Sequence, residues 1–201
     1  MASKFPDPSR RFGVGKASLT VLLVGAAIGV LVFSAGSAAM SWTNSEAFCA
    51  SSCHEMSYNA DEHRGTIHDA NRSGVRAVCS DCHVPKEPLA LLVRKVGAVN
   101  DLWGHFVTGS IDTREKFDAK RYELARRVWT YMQDNDSREC RHCHNAQKMD
   151  PDRQTEKAQA RHAKAEREGL TCIDCHFGIA HEEPEGGPGP QELREARLAK
   201  P

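Results

Sequence analysis

Three stretches of this chain share one pattern of sulfur and imidazole: Cys79-Ser-Asp-Cys82-His83, Cys140-Arg-His-Cys143-His144 and Cys172-Ile-Asp-Cys175-His176. The C-x-x-C-H spacing attaches c-type haem, because both thiols form thioethers with the vinyl groups and the next residue offers its imidazole to the iron. A fourth stretch, Cys49-Ala-Ser-Ser-Cys53-His54-Glu55-Met56, has one residue too many between its cysteines. Zinc ribbons also use C-x-x-C pairs, but zinc has no need of a histidine directly after the second cysteine of each pair. These pairs use all eight cysteines, leaving none for disulfides or a free catalytic thiol. Four covalent c-type haems are therefore the expected cofactors, the first attached through Cys49 and Cys53 with its unusual spacing.

An iron of this kind takes two axial ligands, so partners are needed beyond the motif histidines. The spare histidines are His63, His68, His105, His142, His162 and His181. His181 follows His176 too closely to cap the opposite face of the same haem, and is expected to reach the haem of the third site.

The elements that must hold these sites are few. At 201 residues the chain is long enough for one domain plus an anchor. Lysine plus arginine number 27 and aspartate plus glutamate 27, so no net field argues for a nucleic-acid partner. Aromatic residues make up only 6%, and much of the apolar content lies in one N-terminal run, so the haems themselves are expected to form the core. The fold class that follows is mainly α: one N-terminal transmembrane helix and a small, loop-rich helical multihaem domain.

Residues 1–16 carry Lys4, Arg10, Arg11 and Lys16 against one acid, Asp7, and are expected to stay in the cytoplasm. Residues 17–40 are uncharged and long enough to cross a bilayer, which takes about 20 apolar residues. A cleaved signal peptide, with Ser37-Ala-Ala39 as the cleavage site, is the competing reading, but the run exceeds the usual apolar region of a signal. Either way, residues 41–181 are exported, and the expected location is the periplasmic face of the inner membrane. Gly25-x-x-x-Gly29 could let two anchors pack as a homodimer.

Between Pro88 and Phe106 apolar residues recur at helical spacing, with Arg94, Lys95, Asn100 and Asp101 opposite; such a helix packs on the core or lies at the lipid boundary. Asp112 with Glu115 reads as the start of a helix running to about Asp134, with Phe117, Arg121, Leu124, Val128 and Tyr131 on one face. Pro151 to Glu168 is a charged helix closed by Gly169. Residues 182–201 read as a flexible charged tail with a short helix from Gln191.

Phe48-Cys-Ala-Ser-Ser-Cys-His-Glu-Met56, Thr66 to Pro85 around the second motif, Ile111-Asp-Thr-Arg-Glu-Lys-Phe117, Asn135-Asp-Ser-Arg-Glu-Cys140 and Thr171 to His181 together resemble the NapC/NirT family. Its members are membrane-anchored tetrahaem cytochromes c that oxidise quinol and feed periplasmic reductases. The resemblance implies Met56 as ligand of the first iron, which spares His54 and makes the longer loop tolerable. It implies Lys95 opposite His83 at the second, His181 opposite His144 at the third and His68 opposite His176 at the fourth. Where many members have a histidine after Val-Pro, this chain has Lys86, so Lys86 or a histidine competes with Lys95; His162 competes with His68. Lys95 and Asp101 are implied beside the quinol pocket, Asp101 as proton acceptor. The activity implied is a quinol dehydrogenase, with menaquinol or ubiquinol as substrate, the lipid bilayer and a periplasmic reductase or its cytochrome subunit as partners, and nitrate or nitrite respiration as setting. The chain is not expected to be the terminal reductase, which needs an open iron and a substrate pocket. The alternative is a haem module fed by another protein, without a quinol site of its own.

Overall fold

The computed structural model describes residues 15–199. The flank with Lys4, Arg10 and Arg11 lies outside the described residues. Two units follow one another, divided between Thr43 and Asn44.

The first unit is one helix, α1 (Lys16–Thr43). Its 27 residues from Ala17 are apolar enough to cross a membrane, and none of the membrane-crossing window is buried in the protein. At 1.5 Å per residue they extend about 40 Å, more than the hydrocarbon thickness of about 30 Å. The helix runs past the expected end at Met40, because nothing in Ser41-Trp-Thr43 breaks it, and Thr43 Oγ1 donates back to the Met40 carbonyl at 3.1 Å. Gly25 and Gly29 have open space where a Cβ would stand.

The second unit is built of short helices. α2 (Glu46–Ser51) starts at Ser45, whose Oγ accepts from the Phe48 N–H, and α3 (Glu55–His63) follows the first motif. α4 (Cys79–His83) is the second motif, and α5 (Pro88–Gly97), with proline in its first turn, runs through α6 (Val99–Trp103) into a π-helical turn, Gly104–Thr108. Gly109 ends that turn at φ +54°, where a Cβ would lie 2.8 Å from Asp112 Oδ2, so glycine is strongly favoured.

α7 (Arg114–Asp134) is the longest helix of the unit. Its N-cap is Thr113 rather than the expected Asp112, because the Asp112 carboxylate is taken by Lys116 Nζ at 2.6 Å and Thr113 Oγ1 accepts from Lys116 N. α8 (Arg138–Arg141) holds Cys140 of the third motif, two 3₁₀ turns follow, and α9 (Glu156–Glu168) begins at Thr155 and ends at Gly169 in the left-handed conformation. α10 (Cys172–Cys175) is the fourth motif and α11 (Pro190–Leu198) closes the chain. Among the described residues there is no strand.

Prolines aside, only Phe117, Trp129, Met132 and Ile173 are buried apolar side chains among the described residues. The last three form one cluster, joined by Tyr122, Phe177 and Leu193, where α7, α10 and α11 meet. So small a core cannot by itself offset the entropy of ordering this unit. Of the expected inner face of α7, Phe117 is buried and Val128 and Tyr131 pack against the cluster, and the burial extends to Trp129, Met132 and Gln133 because α10 and α11 pack there.

The end of the chain through Leu198 is held at several points. Pro190 is fully buried, Tyr122 Oη donates to the Pro188 carbonyl, Arg194 pairs with Asp174 and Arg197 with Asp134, so α11 is docked. Its partners lie far back in the chain, which is why local composition hid them.

Candidate haem sites

The second and fourth motifs are each one short helical turn, whose i, i+3 spacing sets both cysteines on one side, whereas at the third α8 ends at Arg141 and Cys143 follows it in a turn. In the second and fourth sites the aspartate before the second cysteine closes the turn. Asp81 Oδ2 accepts from Val78 N at 3.0 Å and Asp174 Oδ2 from Thr171 N at 2.6 Å. At the first site α2 ends at Ser51, so Cys53 falls beyond the helix, and this is the structural place of the extra residue.

The four sites form a row. The Cys49 and Cys79 sulfurs lie within hydrogen-bond reach of one another, and so do those of Cys140 and Cys172. Cys82 lies close enough to Cys143 for their charges to interact. First touches second, second approaches third, and third touches fourth.

Three histidine pairs stand across from one another. Ring centroids are 6.1 Å apart for His83 and His181, 6.2 Å for His68 and His144, and 6.2 Å for His162 and His176. A metal between two imidazoles, with bonds of about 2 Å and roughly 1 Å from nitrogen to ring centre, needs centroids about 6 Å apart. Each pair joins one motif histidine to one spare histidine. Burial drives the His83 imidazole down to about 4, keeping it neutral, the form that binds a metal. His68 Nδ1 is buried without a hydrogen-bond partner. This donor set, with paired cysteines beside each motif histidine, fits haem.

The pairing differs from the implied one. His181 faces His83 instead of His144, His68 faces His144 instead of His176, and His83 has a histidine opposite it where Lys95 was expected. His176 faces His162. The reasons are tertiary. His181 is fixed from the next residue, since Glu182 N donates to Glu62 Oε2 at 3.0 Å and Arg121 donates to the Glu182 carbonyl at 3.0 Å. Ala77 N bonds the His68 carbonyl at 2.9 Å, folding His68 back beside the second motif. His162 sits on α9 with Nδ1 2.7 Å from Gln154 Oε1, which leaves its other nitrogen for His176. Lys86 pairs with Asp81 at 3.4 Å.

Arg121 and Glu62 form the clamp behind His181, with two hydrogen bonds between them. Burial pushes the Glu62 carboxyl up, but Arg121 and the Glu182 N–H outweigh it and hold it below its ordinary 4.5. A carboxyl lowered on folding stabilises the fold fully above its unfolded value and loses that contribution as pH falls through the folded one. Acid titration of the haem-loaded protein should therefore disturb the spectrum of the haem at His83 and His181 only below pH 4.5. Glu62→Gln should remove that acid step and loosen the same haem at neutral pH; an acid step unchanged in Glu62→Gln would exclude the clamp.

At the first site Lys95 lies close enough to Cys49, and Asp101 to Cys53, for their charges to interact. Burial lowers Lys95, with Cys49 opposing. Met56, in the first turn of α3, is 41% exposed. His54 Nε2 is 2.8 Å from the Asp112 carbonyl. Sequence reasoning assigned nothing to Glu55, which is 2% exposed and bonded through Oε1 to His105 Nδ1 at 2.6 Å. Burial pushes its carboxyl up, but His105 and the backbone outweigh this. A carboxylate directly after the motif histidine was the only signal for it.

The family model described as the NapC/NirT cytochrome c family, N-terminal region, matches residues 13–186. The chain is 49% identical over 180 residues to the denitrification system component NirT of Stutzerimonas stutzeri, covering 89% of this chain and 87% of NirT. A putative tetraheme cytochrome-c type protein of Allochromatium vinosum is 49% identical over 142 residues, 71% of this chain and 76% of that one. The cytochrome c-type protein TorY of Escherichia coli O157:H7 is 43% identical over 173 residues, 86% of this chain but 47% of TorY, so the chain spans about half of that relative. No solved structure matches.

Proposed function

We propose, from the premise that the chain belongs to the NapC/NirT cytochrome c family, that it is a single-pass tetrahaem cytochrome c taking electrons from membrane quinol and passing them to a periplasmic reductase. The observation that carries this is the row of four cysteine pairs, three with facing histidines, beginning just beyond a helix able to cross a membrane. The basic N-terminal flank favours an orientation with the haem unit in the periplasm. NirT is named as part of a denitrification system, which supports a reductase of nitrogen oxides, or its cytochrome subunit, as the acceptor.

The haems supply one-electron acceptors in a row, suited to a donor that yields its two electrons singly. His83 with His181, His144 with His68 and His176 with His162 would hold three of the irons. Met56 would hold the first, and the hydrogen bond of His54 Nε2 to the Asp112 carbonyl supports that, since it occupies a nitrogen an iron would need. Lys95, whose charge interacts with Cys49, would orient a quinol oxygen at the first site. Asp101 accepts the quinol proton on the side of Cys53.

The test is reduction of the detergent-solubilised, haem-loaded protein by a menaquinol or ubiquinol analogue, followed at the haem absorption bands. Quinol should reduce it, and Asp101→Asn should slow that reduction on the order of a hundredfold with four haems still attached. Reduction by dithionite but not by quinol would instead identify a module fed by another protein. Unchanged quinol turnover in Asp101→Asn would remove Asp101 from the reaction.

A further inference from the structure

Helix α5 is inside out. Its side toward the rest of the second unit carries the cations: Arg94 Nε donates to the His83 carbonyl at 3.3 Å, its guanidinium lies 5.4 Å from the Tyr131 ring centre, and Lys95 is half-buried beside Cys49. The opposite side carries Leu89, Leu92, Val93 and Val96, exposed by 74%, 50%, 65% and 64%. Trp103 and Phe106, exposed by 61% and 74%, carry the apolar surface on through α6 and the π-helical turn. A helix beside a soluble core turns its apolar stripe inward. Here Cys49 and the backbone of the motif histidine His83 lie on the cationic side, so haems held there would meet Arg94 and Lys95 rather than the leucines and valines.

We infer that α5, α6 and the π-helical turn lie in the surface of the membrane that α1 crosses, apolar side down, as a second lipid contact. Two observations choose lipid as the occupant. Lys95 is near enough to Cys49 for their charges to interact, and Cys49 follows the end of α1 at Thr43 by only six residues, which span at most about 20 Å. Chain length alone thus keeps α5 within reach of the bilayer. The surface is also an extended apolar strip with an outward tryptophan and a single acid, Asp101, in the whole segment, the composition of an interfacial helix. Such a helix buries its apolar side about 5–10 Å deep, near the headgroup boundary. The inference holds whether electrons come from quinol or from a protein. If quinol is the donor, the contact also brings Lys95 and the first site toward the lipid from which quinol arrives.

The experiment uses the full, haem-loaded chain reconstituted into vesicles of phosphatidylcholine and phosphatidylglycerol with a trace of lipid bearing a photoactivated carbene precursor in its acyl chain. After illumination and proteolysis, peptides are weighed. Adducts should appear on residues 88–108 as well as on α1, about tenfold above those on the charged helix α9. Val93→Glu with Val96→Glu should cut the adducts on 88–108 about tenfold without changing the haem spectrum. Adducts confined to α1 in the unsubstituted chain overturn the inference, and the cross-linked mass of that sample tells whether water or a second copy of the chain covers the strip. That result would leave quinol reduction untouched, so the two readings fail separately.

Discussion

Removing His83 and His181 together should cost the oxidised protein one low-spin haem, not two. The two rings face one another at 6.1 Å, so both variants act on the same iron. Either single substitution should already abolish that signal in electron paramagnetic resonance or magnetic circular dichroism, and the second should then remove nothing more. The same non-additivity is expected for His68 with His144 and for His162 with His176. Non-additivity is the mark of two groups serving one centre. The alternative, with His181 opposite His144 and Lys95 opposite His83, makes the first double variant lose two haems. If loss of a motif histidine also prevents haem attachment, the arithmetic is unchanged, because the missing haem is the one its partner served. Two haems lost from His83 and His181 would overturn this pairing.

Asp174→Ala should destabilise the haem-loaded protein by about 3 kcal/mol, the cost of breaking a buried charge network from one side. The Asp174 side chain is fully buried and accepts from Thr171 N and Oγ1, Gln133 Nε2 and Arg194 Nη1 at 2.6, 3.0, 2.6 and 3.1 Å. It ties the fourth motif to α7 and α11 at once. Its removal leaves the Thr171 N–H buried without a partner and Arg194 with only the Gly169 carbonyl. Asp174→Asn, which keeps the shape and one acceptor oxygen, should cost less. Denaturant unfolding of both variants, with hydrogen exchange over α11, checks this. A loss below about 1 kcal/mol would show α11 to be held by Leu193 and Pro190 packing instead.

What the chain makes legible on its own is whatever depends on near neighbours. Two thiols three residues apart lie on one helical turn wherever that turn sits, so the attachment cysteines are fixed by spacing. An uncharged run from Ala17 is fit to cross a membrane whatever follows it. The caps at Thr155 and Gly169 are equally local. The first motif is the exception that neighbours explain only in part: its extra residue is visible, but the occupation of His54 Nε2 by the Asp112 carbonyl is not.

Tertiary structure decided the rest. Nothing near His162 in the chain announces His176, and His181 reaches His83 because Arg121, Glu62 and Glu182 hold its backbone there. Periodicity drew a stripe along α5 but could not say which side faces in, and the cations face in because Tyr131 and the His83 carbonyl receive Arg94. Residues 190–198 read as a charged tail because their partners, Asp174, Gln133 and Asp134, are distant in sequence. A covalent attachment site needs only a short segment to specify it, whereas an axial ligand or a docked helix needs two segments brought together, and only the folded chain brings them.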